Sequence, residues 1–232
     1  MTGGRAIVAV LAVLVLGACS PPASSTPPSS TESRPPRQGV PVQHLFSADT
    51  SLVRQAVDAG ADLETRDDRG RTPLLVAVTE NRVEVAGILV EAGADPNALD
   101  GRHDTPWLVT GVTGNVPMAQ VLLKAKPDLT ITNRFGGVSL IPASERGHVE
   151  YVRLVASSGI DVDHVNDLGW TALLEAVILG DGGPRHQEVV RALVAAGADV
   201  DLADKEGVTP LAHARTKGQA AVARILGEAG AR

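Results

Sequence analysis

The sequence is poor in aromatic residues and almost without sulfur. Phe, Trp and Tyr make up 2% of its 232 residues, and it has a single cysteine, Cys19. One cysteine excludes an internal disulfide framework. So few large rings leave Ala, Val and Leu to fill the core, which suits short helices stacked closely together. Neither charge sign dominates strongly, since 21 Lys and Arg oppose 27 Asp and Glu for a formal net charge of -6. That balance offers no basic face of the nucleic-acid-binding type. Long hydrophobic runs are missing too. The apolar run at 6–16 has 11 residues, too few to span a bilayer.

What the chain does have is repetition. An Asp closes a Gly-Ala-Asp-type exit at Asp62, Asp95, Asp128, Asp161 and Asp199, with intervals of 33, 33, 33 and 38. A helix-start position recurs at Thr72, Thr105, Val138, Thr171 and Thr209, with the same intervals. A fixed period near 33 is the mark of a helical solenoid. With its Thr-Pro-Leu at 72–74 and its Gly-Ala-Asp exits, residues 39–232 resemble the ankyrin-repeat family. The resemblance implies an all-α solenoid of about six repeats, end caps included. Paired antiparallel helices would be joined by β-turn or hairpin tips.

Local signals agree with that register. Thr72, Thr105, Thr171 and Thr209 can cap the first helix of a repeat, with Pro73, Pro106 and Pro210 at the first helical position. Second helices are predicted at 83–91, 117–124, 149–157, 187–195 and 219–228. Asp or Asn opens each tip and Gly usually closes it, as turn chemistry requires. His103 stands in the glycine position of one tip, and His tolerates positive φ better than most residues. Trp107 falls at an inward position and is expected in the core. Three irregularities stand out. Lys126-Pro127 replaces Gly-Ala in one exit. Pro142 removes a donor from the fourth repeat's first helix, which should distort its start. Gly182-Gly183-Pro184 lies in an insertion at 181–187 and predicts a bulged loop between two helices.

The first 18 residues read as a secretion signal: Arg5, the apolar run, then small residues. Leu16-Gly17-Ala18-Cys19 resembles a bacterial lipobox, which implies lipidation of Cys19 and a membrane anchor. Ordinary signal cleavage is the alternative. Residues 19–38 are rich in Pro, Ser and Thr and cannot bury enough to offset chain entropy, so they are expected to be disordered. As an extended stalk they would reach roughly 60 Å at about 3.1 Å per residue. The expected location is extracytoplasmic, in the periplasm or at the cell surface.

No catalytic constellation emerges. The six His form no ligand pattern, and neither a phosphate-cradling Gly loop nor a nucleophile motif is present. His148 sits in a Gly-His pair that the family uses for loop hydrogen bonds. No cofactor, metal or nucleic acid is expected, and the array is expected to be a monomer. The resemblance implies protein binding through the tips and first helices along a concave face. The candidate contact residues there are Phe135, Leu168, Trp170, Ile178, Leu179, Arg102, Arg134 and Arg146. Apolar side chains gathered beside arginines are typical of binding hot spots. The alternative is that these side chains fold onto adjoining helices or the inserted loop. Two other functions stay open: an inhibitor or immunity protein against an envelope-acting toxin or enzyme, and an envelope hydrolase.

Overall fold

The computed structural model describes residues 41–232. The leader at 1–18, Cys19 with its tether at 19–38, and residues 39 and 40 of the expected array lie outside the described residues.

After a short 3-10 helix, Val42–Phe46, eleven α-helices follow. They are α1 Thr50–Asp58, α2 Pro73–Thr79, α3 Val83–Glu91, α4 Pro106–Thr113, α5 Val116–Lys124 and α6 Leu140–Glu145. Then come α7 Val149–Ala156, α8 Ala172–Ile178, α9 Pro184–Ala195, α10 Pro210–Thr216 and α11 Ala220–Glu228. No β-strand occurs among the described residues, so the tips are turns and not strand hairpins. The helices form two layers. The first helices α2, α4, α6, α8 and α10 stack in order, and α1, α3, α5, α7, α9 and α11 stack behind them. One apolar core runs between the layers, with Trp107, Tyr151 and a series of Leu, Val and Ala buried in it.

The recurrent residues earn their spacing through hydrogen bonds. The Thr72, Thr105, Thr171 and Thr209 hydroxyls accept from backbone N–H groups of Leu75, Leu108, Leu174 and Ala212, which have no helical partner. Each exit Asp also accepts the N–H two residues on, as Asp62 does from Glu64 at 3.0 Å and Asp161 from Asp163 at 3.0 Å. That downstream residue then reaches the next repeat. Glu64 accepts the N–H of Asp95, Asn97 that of Asp128, and Asp163 that of Asp199, each at 2.9 Å. The exit marker is therefore a rung of an inter-repeat ladder.

A second ladder joins the layers at the other end of the first helices. Arg82 donates to the Phe46 carbonyl at 2.7 Å, and His148 Nε2 to that of Val112 at 3.2 Å. His186 Nε2 donates to the Glu145 carbonyl at 2.9 Å, and Gln219 Nε2 to that of Val177 at 3.0 Å. The family hydrogen bond expected of His148 is one rung of this series.

The three irregular stretches resolve differently. Val138 offers no oxygen to cap a helix, and α6 begins only at Leu140 and runs six residues. Pro142 is its third residue, where the N–H would lack a helical partner in any case, so its cost is small. The Lys126-Pro127 exit keeps the left-handed turn, with Lys126 itself at φ 53. Pro127 cannot donate the closing bond that Ala61, Ala94, Ala198 and Ala231 make in other exits. The insertion keeps a lengthened loop between α8 and α9, as expected, but its last residues join the helix. Pro184 starts α9 three residues ahead of the predicted Gln187, and the helix lengthens to 12 residues. Proline is pre-organised for a first helical position, which turns a breaker into a starter. No described helix is long and apolar enough to cross a membrane.

Candidate functional site

The tips are built by one device. Asp100 Oδ1 accepts from the N–H groups of Arg102 at 2.8 Å and Asp104 at 2.9 Å. Asn133 Oδ1 does the same for Phe135 at 2.9 Å and Gly137 at 3.1 Å, and Asn166 Oδ1 for Leu168 and Trp170, both at 3.0 Å. Each carboxylate or amide thus locks its tip and fixes the side chain two residues on. Arg102, Phe135 and Leu168 occupy that projecting position in three successive repeats.

Between these tips and the exposed side of α4, α6 and α8 lies a groove of about 510 Å³. Phe135, Leu168 and Leu179 line it while exposed by 57%, 55% and 50%. Val109, Ile141 and Pro142 add apolar floor. The charged lining is Arg102, Arg134 and Arg146 with Asp104, Glu145 and Glu175. Arg134 lies over the Phe135 ring, 4.6 Å from its centroid, which holds the ring against a cationic face.

Most of those charges are matched locally. Asp104 faces Arg102 at 3.9 Å and Arg134 at 3.8 Å, and Arg146 pairs with Glu145 at 2.6 Å. Burial and then the Asp100 charge hold the Asp104 carboxyl above its ordinary range, against those arginines. Glu175 is buried at 5% exposure and accepts from Asn166 Nδ2 at 2.9 Å. Burial, and secondly the Glu145 charge, push it up to about 7.

Of the sequence candidates, Phe135, Leu168, Leu179, Arg102, Arg134 and Arg146 meet in this groove. Trp170 and Ile178 do not line it and are partly buried. The sequence reading missed Glu175. Its signal was the position four beyond the helix-start marker, held elsewhere by Val76, Val109, Pro142 and His213.

Comparison with known proteins places this architecture. The ankyrin-repeat model in three copies matches residues 107–204, and the single-repeat model matches 69–101. The ankyrin repeat protein YahD of Escherichia coli (strain K12) is 38% identical over 198 residues, covering 84% of this chain and 98% of the relative. The chain belongs to the ankyrin-repeat family. A crystal structure of an ankyrin repeat domain from Acinetobacter baumannii AYE matches with a TM-score of 0.79 at 45% identity. That match covers 82% of this chain and 97% of the other. The ankyrin repeat domain of Bcl-3, a member of the IkappaB protein family, matches with a TM-score of 0.75 at 26% identity, covering 84% and 88%.

Within this ankyrin array four of the histidines, His148, His164, His186 and His213, are bound into the framework. His164 Nε2 donates to the Gly136 carbonyl at 2.7 Å, and His213 Nε2 to Asp204 at 2.6 Å. Among the described residues no group of three His, Cys, Asp or Glu could hold a metal ion. A second depression lies on the outer layer between α7 and α9, lined by Ala156, Ala192 and Ala195. Its Arg153 and Arg191 are taken up by Glu150 and Glu188. The groove between the tips brings a carboxylate without an ion pair, Glu175, together with exposed apolar side chains.

Proposed function

We propose that this ankyrin-repeat chain is a protein-binding module whose partner seats in the groove of α4, α6 and α8. The observation that carries this is the meeting of Phe135, Leu168 and Leu179 with three arginines in one concavity. Large apolar side chains exposed together beside arginine are the composition of an interface centre. Repeats of this family generally mediate contacts between proteins. Trp170 and Ile178, two residues from Leu168 and one from Leu179 in the chain, flank the contact. In this reading the module acts by binding and not by catalysis.

The setting is part of the proposal. Cys19 carries a lipid and holds the array outside the cytoplasmic membrane. What supports this is the lipobox-like Leu16-Gly17-Ala18-Cys19 behind a short apolar run, with the chain's one cysteine in the lipidated position. Two tests apply. Envelope proteins captured on the immobilised full chain are identified by mass spectrometry, and capture by Phe135→Ala is compared. An interface anchor is worth about 2 kcal/mol, roughly 30-fold in affinity. A specific partner held equally by both proteins would rule out the groove. Cells are also labelled with a palmitate analogue and fractionated. Label and membrane association are expected in wild type and lost in Cys19→Ala; an unlabelled, soluble wild type ends the anchor reading.

A further inference from the structure

Glu175 occupies a repeat position that is apolar in three other repeats, at Val76, Val109 and Pro142. In the last repeat the position is His213, and its ring is satisfied by Asp204 at 2.6 Å. Glu175 has no such charged partner. It is more than nine-tenths buried, lines the groove, and among the described residues accepts one side-chain hydrogen bond, from Asn166. The charge inventory of the groove shows the same gap. Asp104 is answered by Arg102 and Arg134, and Glu145 by Arg146. Glu175 is the groove carboxylate without an ion pair among the described residues.

A buried carboxylate with one hydrogen bond is expensive unless a cation or a proton answers it. Its surroundings suit the stem of a long basic side chain. Leu179 lies one helical turn beyond it, capping the C-terminal end of α8, with its N–H bonded to the Glu175 carbonyl at 3.0 Å. Leu168 lies on the tip that Asn166 locks. Lysine and arginine bury their methylene stems on apolar surface of this kind while the charged head seeks its partner.

We infer that the groove receives a basic side chain of the protein partner, a lysine ammonium or arginine guanidinium, against the Glu175 carboxylate, an inference that rests on the protein-binding reading above. The partner is therefore a protein with an exposed Lys or Arg flanked by apolar residues. Its cation completes the charge pairing of the groove.

Binding should then depend on pH. Free Glu175 is held up to about 7, by burial first and Glu145 second, against Asn166 and Arg146. An arriving cation favours the carboxylate and expels the proton. The charged neighbours on the packed helices are Glu145 with Arg146 on α6 and His213 with Asp204 beside α10. On α9, His186 is held by Asp181 and the Glu145 carbonyl. Affinity is full above the free value and falls as pH drops through it, by about tenfold between pH 8 and pH 6.

The test uses a positional-scanning library of acetylated, amidated hexapeptides passed over the immobilised full-length protein. Wild type is expected to enrich Lys or Arg at one position with apolar residues beside it. Glu175→Gln should lose the basic preference and keep the apolar one. Glu175→Val, the residue type of two other repeats, serves as a second variant that the fold already accommodates. Calorimetry with an enriched peptide should show the tenfold pH effect in wild type and a flat response in both variants. Peptides retained with no basic preference, or with an acidic one, overturn the inference and leave the binding reading standing. Affinity that rises toward pH 6 also overturns it, because a protonated Glu175 would then be donating to the partner. Retention of no peptide by wild type overturns both readings.

Discussion

His186 Nε2 donates to the backbone carbonyl of Glu145 at 2.9 Å, across 41 positions of chain. A carbonyl only accepts, so the ring nitrogen must carry the proton. Nδ1 of the same ring meets Asp181 at 2.7 Å, which ties the inserted turn to the preceding repeat. The bond closes the C-terminal end of α6, the shortest of the first helices, where carbonyls have no helical partner. Arg82, His148 and Gln219 close the matching ends of other repeats.

The ladder predicts a graded mutational response. His186→Ala leaves the Glu145 carbonyl without its partner and should destabilise the protein by about 1–3 kcal/mol in urea denaturation. His186→Gln should lose less than half as much, since Gln219 performs this role in the next repeat. Equal losses for both variants would show that packing of the ring, and not its hydrogen bond, matters.

Two glycines at helix-interior positions should answer oppositely. A Cβ at Gly111 would stand 2.0 Å from the Ser139 carbonyl oxygen, because the late start of α6 brings its loop against α4. Gly111→Ala is expected to cost about 2 kcal/mol or more, since backbone must move. A Cβ at Gly87 meets nothing within 4 Å, so Gly87→Ala should gain about 0.5–1 kcal/mol. Thermal melts of the two variants on either side of wild type check this.

Lys126 holds a left-handed conformation, φ 53, in an exit where other repeats place glycine. Lys126→Gly should relieve that strain and stabilise by about 0.5 kcal/mol, less than the full left-handed cost because glycine gains freedom on unfolding. The same exit lacks the closing bond that Pro127 cannot donate. Amides over 126–142 should therefore exchange faster than those of the second repeat in hydrogen-exchange mass spectrometry. Uniform protection across both regions would contradict this.

Glu175 makes stability depend on pH with a defined sign. Its ordinary value is 4.5, and burial raises it to about 7 in the folded chain. The folded state holds this proton more tightly than the unfolded one. The contribution is thus fully present below about 4.5 and lost as pH rises through about 7. Glu175→Gln removes the charge but keeps an oxygen for Asn166. The variant should match wild type near pH 4 and exceed it by about 1–3 kcal/mol near pH 8. Denaturation curves at both pH values decide it, and equal stability at both would mean the carboxylate is not penalised.

The repeat register was legible because its parts are local. Thr72 caps Leu75 three residues away, Asp62 binds the N–H of Glu64, and Asn133 locks Phe135 and Gly137. Chemistry confined to a few residues leaves its mark in spacing. The insertion was read only in part, for a related reason: Gly182-Gly183-Pro184 breaks a helix that precedes it and starts one that follows. Which of these holds depends on whether the downstream residues find a layer to pack on, as α9 does against α7.

By itself the sequence determined the period, the caps, the tips and the membership of an ankyrin-type array. It also placed Phe135 and Leu168 on projecting turn positions. Only the tertiary structure decided which neighbours share a surface. Leu168 and Leu179 face the groove while Trp170 and Ile178, two residues and one residue away, turn partly inward. A rotation of that size depends on how adjacent repeats stack, about 33 positions apart. The same stacking buries Glu175 between residues of two repeats, and a carboxylate's surroundings, not its place in the chain, set its charge.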